Sequence, residues 1–134
     1  MTLYVDTSAL LKAYVEEADS AHAVAVLRSD PVLVTSWITV VEARRNLTRL
    51  LDGAALTASL GALEMDLDAF ALVTAGELVC RAAGRIAEVL GVRSMDAIHL
   101  ASAQQLQIRG LPFLTFDLRQ AQAARSLGFT VLGA

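Results

Sequence analysis

Four carboxylates in this chain occupy positions where they could bind a cation. Asp6 and Asp117 each follow a short apolar run with strand character, whereas Glu42 and Asp96 lie in segments with helical spacing of apolar residues. Carboxylates that gather at one place raise each other's pKa unless a cation neutralises them. Hard oxygen ligands suit Mg²⁺ or Mn²⁺, and such an ion can activate water and stabilise a phosphodiester transition state.

Three of these acids also have simpler explanations. Asp6 and Asp117 stand where side chains commonly cap the following helix. Glu42 lies at the edge of an apolar helical stripe and could form an ordinary solvated pair with Arg45, three residues further on. Each of the three is therefore ambiguous when it is taken alone.

Asp96 gives the strongest single signal. Its predicted helix carries no other ionisable side chain through Ile108 except His99. Apolar residues cover nearly the whole circumference of this helix. Such a helix is usually buried, and a buried ionised carboxylate is costly unless it is paired or bound to a cation. The alternative is a first-turn acid that faces the helix dipole. His99 is expected to be packed and hydrogen-bonded rather than a metal ligand.

Short apolar runs alternate with helical patterns along the whole chain. This alternation predicts parallel βαβ units, hence an α/β fold whose parallel sheet has helices on both faces. Ligands of such sheets bind beyond the carboxyl ends of the strands, where Asp6 and Asp117 are expected to lie. The predicted strands are residues 3–6, 32–35, 70–73, 113–116 and 130–132. The predicted helices are residues 8–17, 21–28, 36–51, 55–68, 74–90, 94–108 and 117–127, with a turn at Asp30 and Pro31.

Composition limits the class of protein. The 134 residues fit one domain, 1–134, and 55% of them are hydrophobic. No apolar run approaches the roughly 18 residues of a membrane span, and no signal peptide is recognised. Cys80 is the only cysteine, which excludes an internal disulfide and disfavours zinc. A cytoplasmic protein is therefore expected.

The charge balance bears on nucleic-acid binding. The formal net charge of −3 argues against a broad nucleic-acid surface, because phosphate contacts need Lys and Arg. However, Lys12 is the only lysine among 11 basic residues, and arginine binds phosphate with a forked guanidinium. If several acids share one metal site, the rest of the surface is less acidic than the total suggests.

The order and spacing of four segments resemble the PIN-domain ribonucleases, and most closely the VapC-type toxins of bacterial and archaeal toxin–antitoxin pairs. The resemblance covers essentially the whole chain. The four segments are Val5-Asp6-Thr7-Ser8-Ala9-Leu10, Val41-Glu42, Asp96-Ala97-Ile98-His99-Leu100-Ala101-Ser102-Ala103 and Leu114-Thr115-Phe116-Asp117.

The resemblance implies a three-layer α/β/α domain with a central parallel sheet and a helical hairpin clip. It implies that Asp6 and Asp96 are the most direct Mg²⁺ or Mn²⁺ ligands, with Glu42 and Asp117 completing the site directly or through water. The remaining implied site residues are Ser8 and Thr115, whose hydroxyls would orient water or phosphate.

The same resemblance implies an activity and partners. The activity is endoribonuclease cleavage that leaves a 5′-phosphate and a 3′-hydroxyl. The partners are an RNA substrate, a small antitoxin gripped by the hairpin around Asp52-Gly53, and a second copy of the chain in a homodimer.

Other classes fit less well. A receiver domain needs a lysine beyond its phosphorylated aspartate, and Lys12 is the only lysine. A phosphatase of the haloacid dehalogenase type would have a second acid where Ser8 stands. The remaining alternative is a non-catalytic PIN-like module that binds RNA or protein.

Overall fold

The computed structural model describes residues 1–29 and 32–134, which form five strands and seven helices; the turn predicted at residues 30–31 lies outside them. The strands are β1 (Thr2–Val5), β2 (Val32–Ser36), β3 (Ala71–Val73), β4 (Pro112–Thr115) and β5 (Thr130–Gly133). The helices are α1 (Thr7–Leu11), α2 (Ser20–Ser29), α3 (Ile38–Leu50), α4 (Gly53–Asp68), α5 (Glu77–Leu90), α6 (Ser94–Gln104) and α7 (Leu118–Ser126). Each of these helices is too short or too polar to reach across a bilayer.

The five strands form one parallel sheet in the order β3-β2-β1-β4-β5. The chain passes from β1 to β2 on one side, and later returns to β4 on the other side of β1. The gap beyond the carboxyl ends of β1 and β4 is therefore the topological switch point, where sheets of this kind bind ligands. Asp6 follows β1 directly, and its amide donates to the carbonyl of Leu114 in β4 (2.9 Å).

Helices cover both faces of the sheet, which confirms the three-layer prediction. Leu3 and Val5 of β1 pack with helices α1, α3 and α4, whereas Tyr4 packs with helices α5, α6 and α7. This alternation follows from the two-residue period of a strand. All three side chains are essentially inaccessible to solvent, so β1 is buried on both faces.

The predicted helical hairpin is formed by α3 and α4. An ion pair between Arg44 and Glu64 (3.6 Å) joins the two helices across their exposed surface. Leu47 and Leu63 are fully buried in the core on this face of the sheet, whereas Leu50 is 45% exposed. Much of the hairpin's apolar content therefore serves packing onto the sheet.

The first helix is shorter than its sequence predicts. It ends at Leu11 and is followed by turns, although the apolar spacing continues to residue 17. Lys12 reaches forward to form ion pairs with Glu17 and Asp19. Acidic residues are also unfavourable at the carboxyl end of a helix, where the dipole is negative. The local charges therefore favour a bend over further helix.

Candidate metal and active site

The Asp6 carboxylate lies buried beyond the end of β1, with only 4% of the residue exposed. Its Oδ2 atom accepts hydrogen bonds from Ser8 Oγ (2.9 Å) and Thr115 Oγ1 (2.7 Å). Its Oδ1 atom lies 3.7 Å from His99 Nε2. Asp6 occupies the N-cap position of α1, but its side chain makes no capping hydrogen bond. The two hydroxyls that the sequence associates with the site thus hold this carboxylate in place.

Glu42 points inward from α3 rather than toward Arg45. Its Oε1 atom accepts hydrogen bonds from Thr7 Oγ1 (2.7 Å) and from His99 Nε2 (2.7 Å). Burial raises the pKa of the Glu42 carboxyl, but the hydrogen bond and charge of His99, helped by Thr7, outweigh it and leave the pKa below its ordinary value. Glu42 is therefore an ionised partner of His99.

His99 is 1% exposed and links three elements of the fold. Its Nδ1 atom lies 2.8 Å from the hydroxyl of Tyr4 on β1, while Nε2 bonds to Glu42 on α3. Burial lowers the pKa of the imidazole. The Glu42 hydrogen bond and the charges of Asp6, Glu42 and Asp96 outweigh burial, so the pKa is raised. The packed, hydrogen-bonded histidine predicted from the sequence is confirmed.

Asp96 lies in the first turn of α6, and its side chain is 18% exposed. Burial and the charges of Asp6 and Asp117 raise the pKa of the Asp96 carboxyl, while the charge of Arg93 opposes them; the net pKa is above its ordinary value. Asp6 and Asp117 are thus close enough to Asp96 for their charges to disfavour its ionised form. Such an effect is expected where carboxylates gather.

Asp117 has two roles, one for each carboxylate oxygen. Its Oδ1 atom caps α7 by accepting from the amides of Arg119 (2.9 Å) and Gln120 (3.1 Å), so the capping alternative holds for this oxygen. Its Oδ2 atom lies 3.8 Å from Arg93 Nη2. The second oxygen remains at the switch point, next to Asp96 and its partner arginine.

The four acids share one edge of the sheet, but their side chains do not converge on a single point. Among residues 1–29 and 32–134, no three His, Cys, Asp or Glu side chains form a ready-made metal site. Glu42 pairs with His99, whereas Asp96 and Asp117 pair with Arg93. The quartet as a set of metal ligands stays a prediction.

Three supporting residues were not found by sequence reasoning. Thr7 bonds to Glu42, and Arg93 bridges two aspartates. Gln120 is fully buried and donates from Nε2 to the carbonyl of Asp96 (3.0 Å), which ties α7 to α6. Only Arg93 had a local signal, because it stands three residues before Asp96, at the N-cap of α6.

We expect Asp96→Asn to stabilise the metal-free protein at neutral pH. An acid whose pKa is raised in the folded state destabilises that state once it ionises, so removing its charge should raise the melting temperature by roughly 3 °C. Thermal unfolding in EDTA measures this effect, with Asp68→Asn, an exposed acid of α4, as the control. The gain should vanish at a pH low enough to protonate Asp96. A lower melting temperature at neutral pH would contradict the repulsion.

Comparison with known proteins identifies the family. The family model of the PIN domain matches residues 3–126. Ribonuclease VapC46 of Mycobacterium tuberculosis is 31% identical over 133 residues, covering 97% of this chain and 95% of its own.

Solved structures show the same fold. Mycobacterium tuberculosis VapC20, described as a Sarcin-Ricin loop cleaving toxin, superposes with a TM-score of 0.73 at 19% identity, covering 98% of this chain and 99% of its own. A toxin–antitoxin complex from Klebsiella pneumoniae contains a chain with a TM-score of 0.67 at 18% identity, covering 86% of each chain. The resemblance drawn from the four sequence segments is confirmed, and the chain belongs to the PIN domain family, in its VapC branch.

Proposed function

We propose that this protein is a metal-dependent endoribonuclease, the toxin of a type II toxin–antitoxin pair. The observation that carries the proposal is the position of three aspartates at the switch point of the sheet: Asp6 follows β1, Asp117 follows β4, and Asp96 shares the guanidinium of Arg93 with Asp117. Support also comes from VapC46, a ribonuclease by name, which aligns along nearly the whole chain.

The site residues fit a divalent cation. All four acids offer hard oxygen donors, and a cation would relieve the repulsion that raises the pKa of Asp96. Mg²⁺ or Mn²⁺ is the proposed ion, with Asp6 and Asp96 as its most direct ligands and Glu42 and Asp117 completing the site directly or through water. When bound, the ion supplies positive charge that activates water and offsets charge developing on the phosphate.

The chain's own residues position the reacting groups. Ser8 and Thr115 fix one oxygen of Asp6 and are proposed to orient water or phosphate beside it. Tyr4 and His99 hold Glu42 toward the sheet edge. In the proposed hydrolysis the oxygen of water bonds to phosphorus and the bond to the 3′ oxygen breaks, which leaves a 5′-phosphate and a 3′-hydroxyl.

The proposed partners are a small antitoxin and a second copy of the chain. The Klebsiella pneumoniae neighbour is a toxin–antitoxin complex, which supports the antitoxin. We propose that the α3–α4 hairpin takes part in gripping it, because Leu50 on α3 and Met65 on α4 are large apolar side chains exposed to solvent. A cytoplasmic location follows as part of the same proposal.

Cleavage of RNA tests the function. End-labelled structured and unstructured RNAs are incubated with the purified, antitoxin-free chain in Mg²⁺, Mn²⁺ or EDTA. We expect cutting with either metal and none in EDTA, with 5′-phosphate ends on the products. If the folded, metal-loaded protein binds these RNAs without cutting them, the non-catalytic PIN-like module is the better description.

A further inference from the structure

Arg93 lies between two of the proposed metal ligands. Its Nε atom is 3.4 Å from Asp96 Oδ2, and its Nη2 atom is 3.8 Å from Asp117 Oδ2. We propose that Arg93 is a built-in counter-ion that holds these two carboxylates and must be displaced when a divalent cation binds. This inference rests on the proposed function, because it takes Asp96 and Asp117 as metal ligands.

The contacts of Arg93 suit a replaceable counter-ion. Both ion pairs are made by the guanidinium, whose side chain is 75% exposed. Ion pairs that exposed are weak, so they exchange readily. The Arg93 backbone is fixed separately, because its carbonyl accepts the amide of Ala97 (2.9 Å) at the start of α6. The side chain can therefore swing away while the helix stays in place.

A groove next to Arg93 could accommodate the displaced guanidinium. A groove of about 500 Å³ lies between the α5–α6 connection and α7, and Arg93, Asp96 and Arg119 all line it. Arg119 contributes its backbone amide to the Asp117 cap, but the ion pairs to the two acids come from Arg93. Two arginines thus share one groove, and one of them compensates the acids.

The position of the charges supports Arg93, rather than Arg119, as the counter-ion. The guanidinium of Arg93 contacts Asp96 through Nε and Asp117 through Nη2, so one positive charge lies between the two carboxylates. A divalent cation would supply the same compensation with twice the charge. The two cations therefore compete for the same carboxylates. A guanidinium that stayed in place when metal bound would affect metal affinity only through its nearby positive charge, as Arg119 does.

The test compares Mn²⁺ affinity among matched variants. Calorimetric titration of Mn²⁺ into the metal-free wild type, Arg93→Gln and Arg119→Gln separates local competition from loss of a nearby positive charge. We expect Arg93→Gln to bind roughly threefold to tenfold more tightly than wild type, and Arg119→Gln to change affinity less than about twofold. Arg93→Lys, which keeps the charge without the forked geometry, should lie in between.

Thermal stability gives a second readout that does not depend on activity. In EDTA, Arg93→Gln should melt at a lower temperature than wild type, because two carboxylates lose their counter-ion, and saturating Mn²⁺ should abolish the difference. Equal Mn²⁺ affinity of wild type and Arg93→Gln, or equal tightening by Arg119→Gln, would overturn this inference alone. A wild type that binds no Mn²⁺ would overturn the proposed metal site, and the displacement with it.

Discussion

Asp6→Asn is expected to reduce the rate of RNA cleavage by roughly a thousandfold while the protein stays folded. The substitution keeps the shape of the side chain and an oxygen that can accept from Ser8 and Thr115. It removes the negative charge that the proposed metal needs, and metal stabilisation of a phosphoryl transition state is worth several kcal/mol. Single-turnover cleavage of an end-labelled RNA measures the loss.

A matched substitution distinguishes the loss of a site carboxylate from the loss of any negative charge on the protein. Asp68→Asn removes an exposed carboxylate at the end of α4 and should leave the cleavage rate unchanged. Circular dichroism of both variants checks that the fold persists. If Asp6→Asn cuts RNA at the wild-type rate, Asp6 has no role in the chemistry or the activity belongs to a contaminant.

His99→Leu is expected to lower the free energy of unfolding by about 3 kcal/mol near pH 6 in EDTA, the scale seen when one partner of a buried ion pair is removed. His99 is the shared partner of Tyr4, Thr7 and Glu42, and it is almost fully buried. Leucine would leave Glu42 without its cationic partner. Urea denaturation gives the difference.

The pH dependence of that difference identifies its electrostatic origin. The raised pKa of His99 gives stability that is complete below its ordinary value of 6.5 and is lost as pH rises through the folded pKa. The lowered pKa of Glu42 gives stability that is complete above its ordinary value of 4.5 and is lost as pH falls through the folded pKa. The difference between wild type and His99→Leu should therefore be largest between pH 4.5 and 6.5.

Tyr4→Phe is the control for this experiment. It removes the hydrogen bond between the Tyr4 hydroxyl and His99, worth about 1.5 kcal/mol, without removing either charge. Its effect should vary little across the same pH range. A His99→Leu effect that is equally flat with pH would show that packing, rather than the Glu42–His99 pair, sets the stability of this centre.

The sheet and the placement of two acids could be predicted because they follow from local patterns. Leu3 and Val5 pack into the core on one face of the sheet, and Tyr4 packs into the core on the other face. Each predicted strand is followed or preceded by a clear helical pattern. Once the strands are parallel, the residues after β1 and β4 must share one edge. The meeting of Asp6 and Asp117 at the switch point follows from that topology.

The partners of each acid could not be predicted, because they come from distant parts of the chain. Thr7 and Glu42 are 35 residues apart in sequence, and His99 reaches both Tyr4 and Glu42 from a different layer. Periodicity places a residue on a face but does not say which side chain it meets there. The sequence offered a solvated pair with Arg45 as an alternative for Glu42, because Arg45 stands three residues further on and is a neighbour on the helix surface.

The most direct test of the central claim, that the gathered acids bind a divalent cation, is calorimetric titration of Mg²⁺ and Mn²⁺ into metal-free wild type, Asp6→Asn and Asp96→Asn. We expect saturable binding to the wild type that both substitutions abolish. A metal concentration about 100-fold above the dissociation constant should raise the wild-type melting temperature by roughly 10 °C. Equal binding by all three proteins, or no binding by the folded wild type, would contradict the assignment of these acids as a metal site.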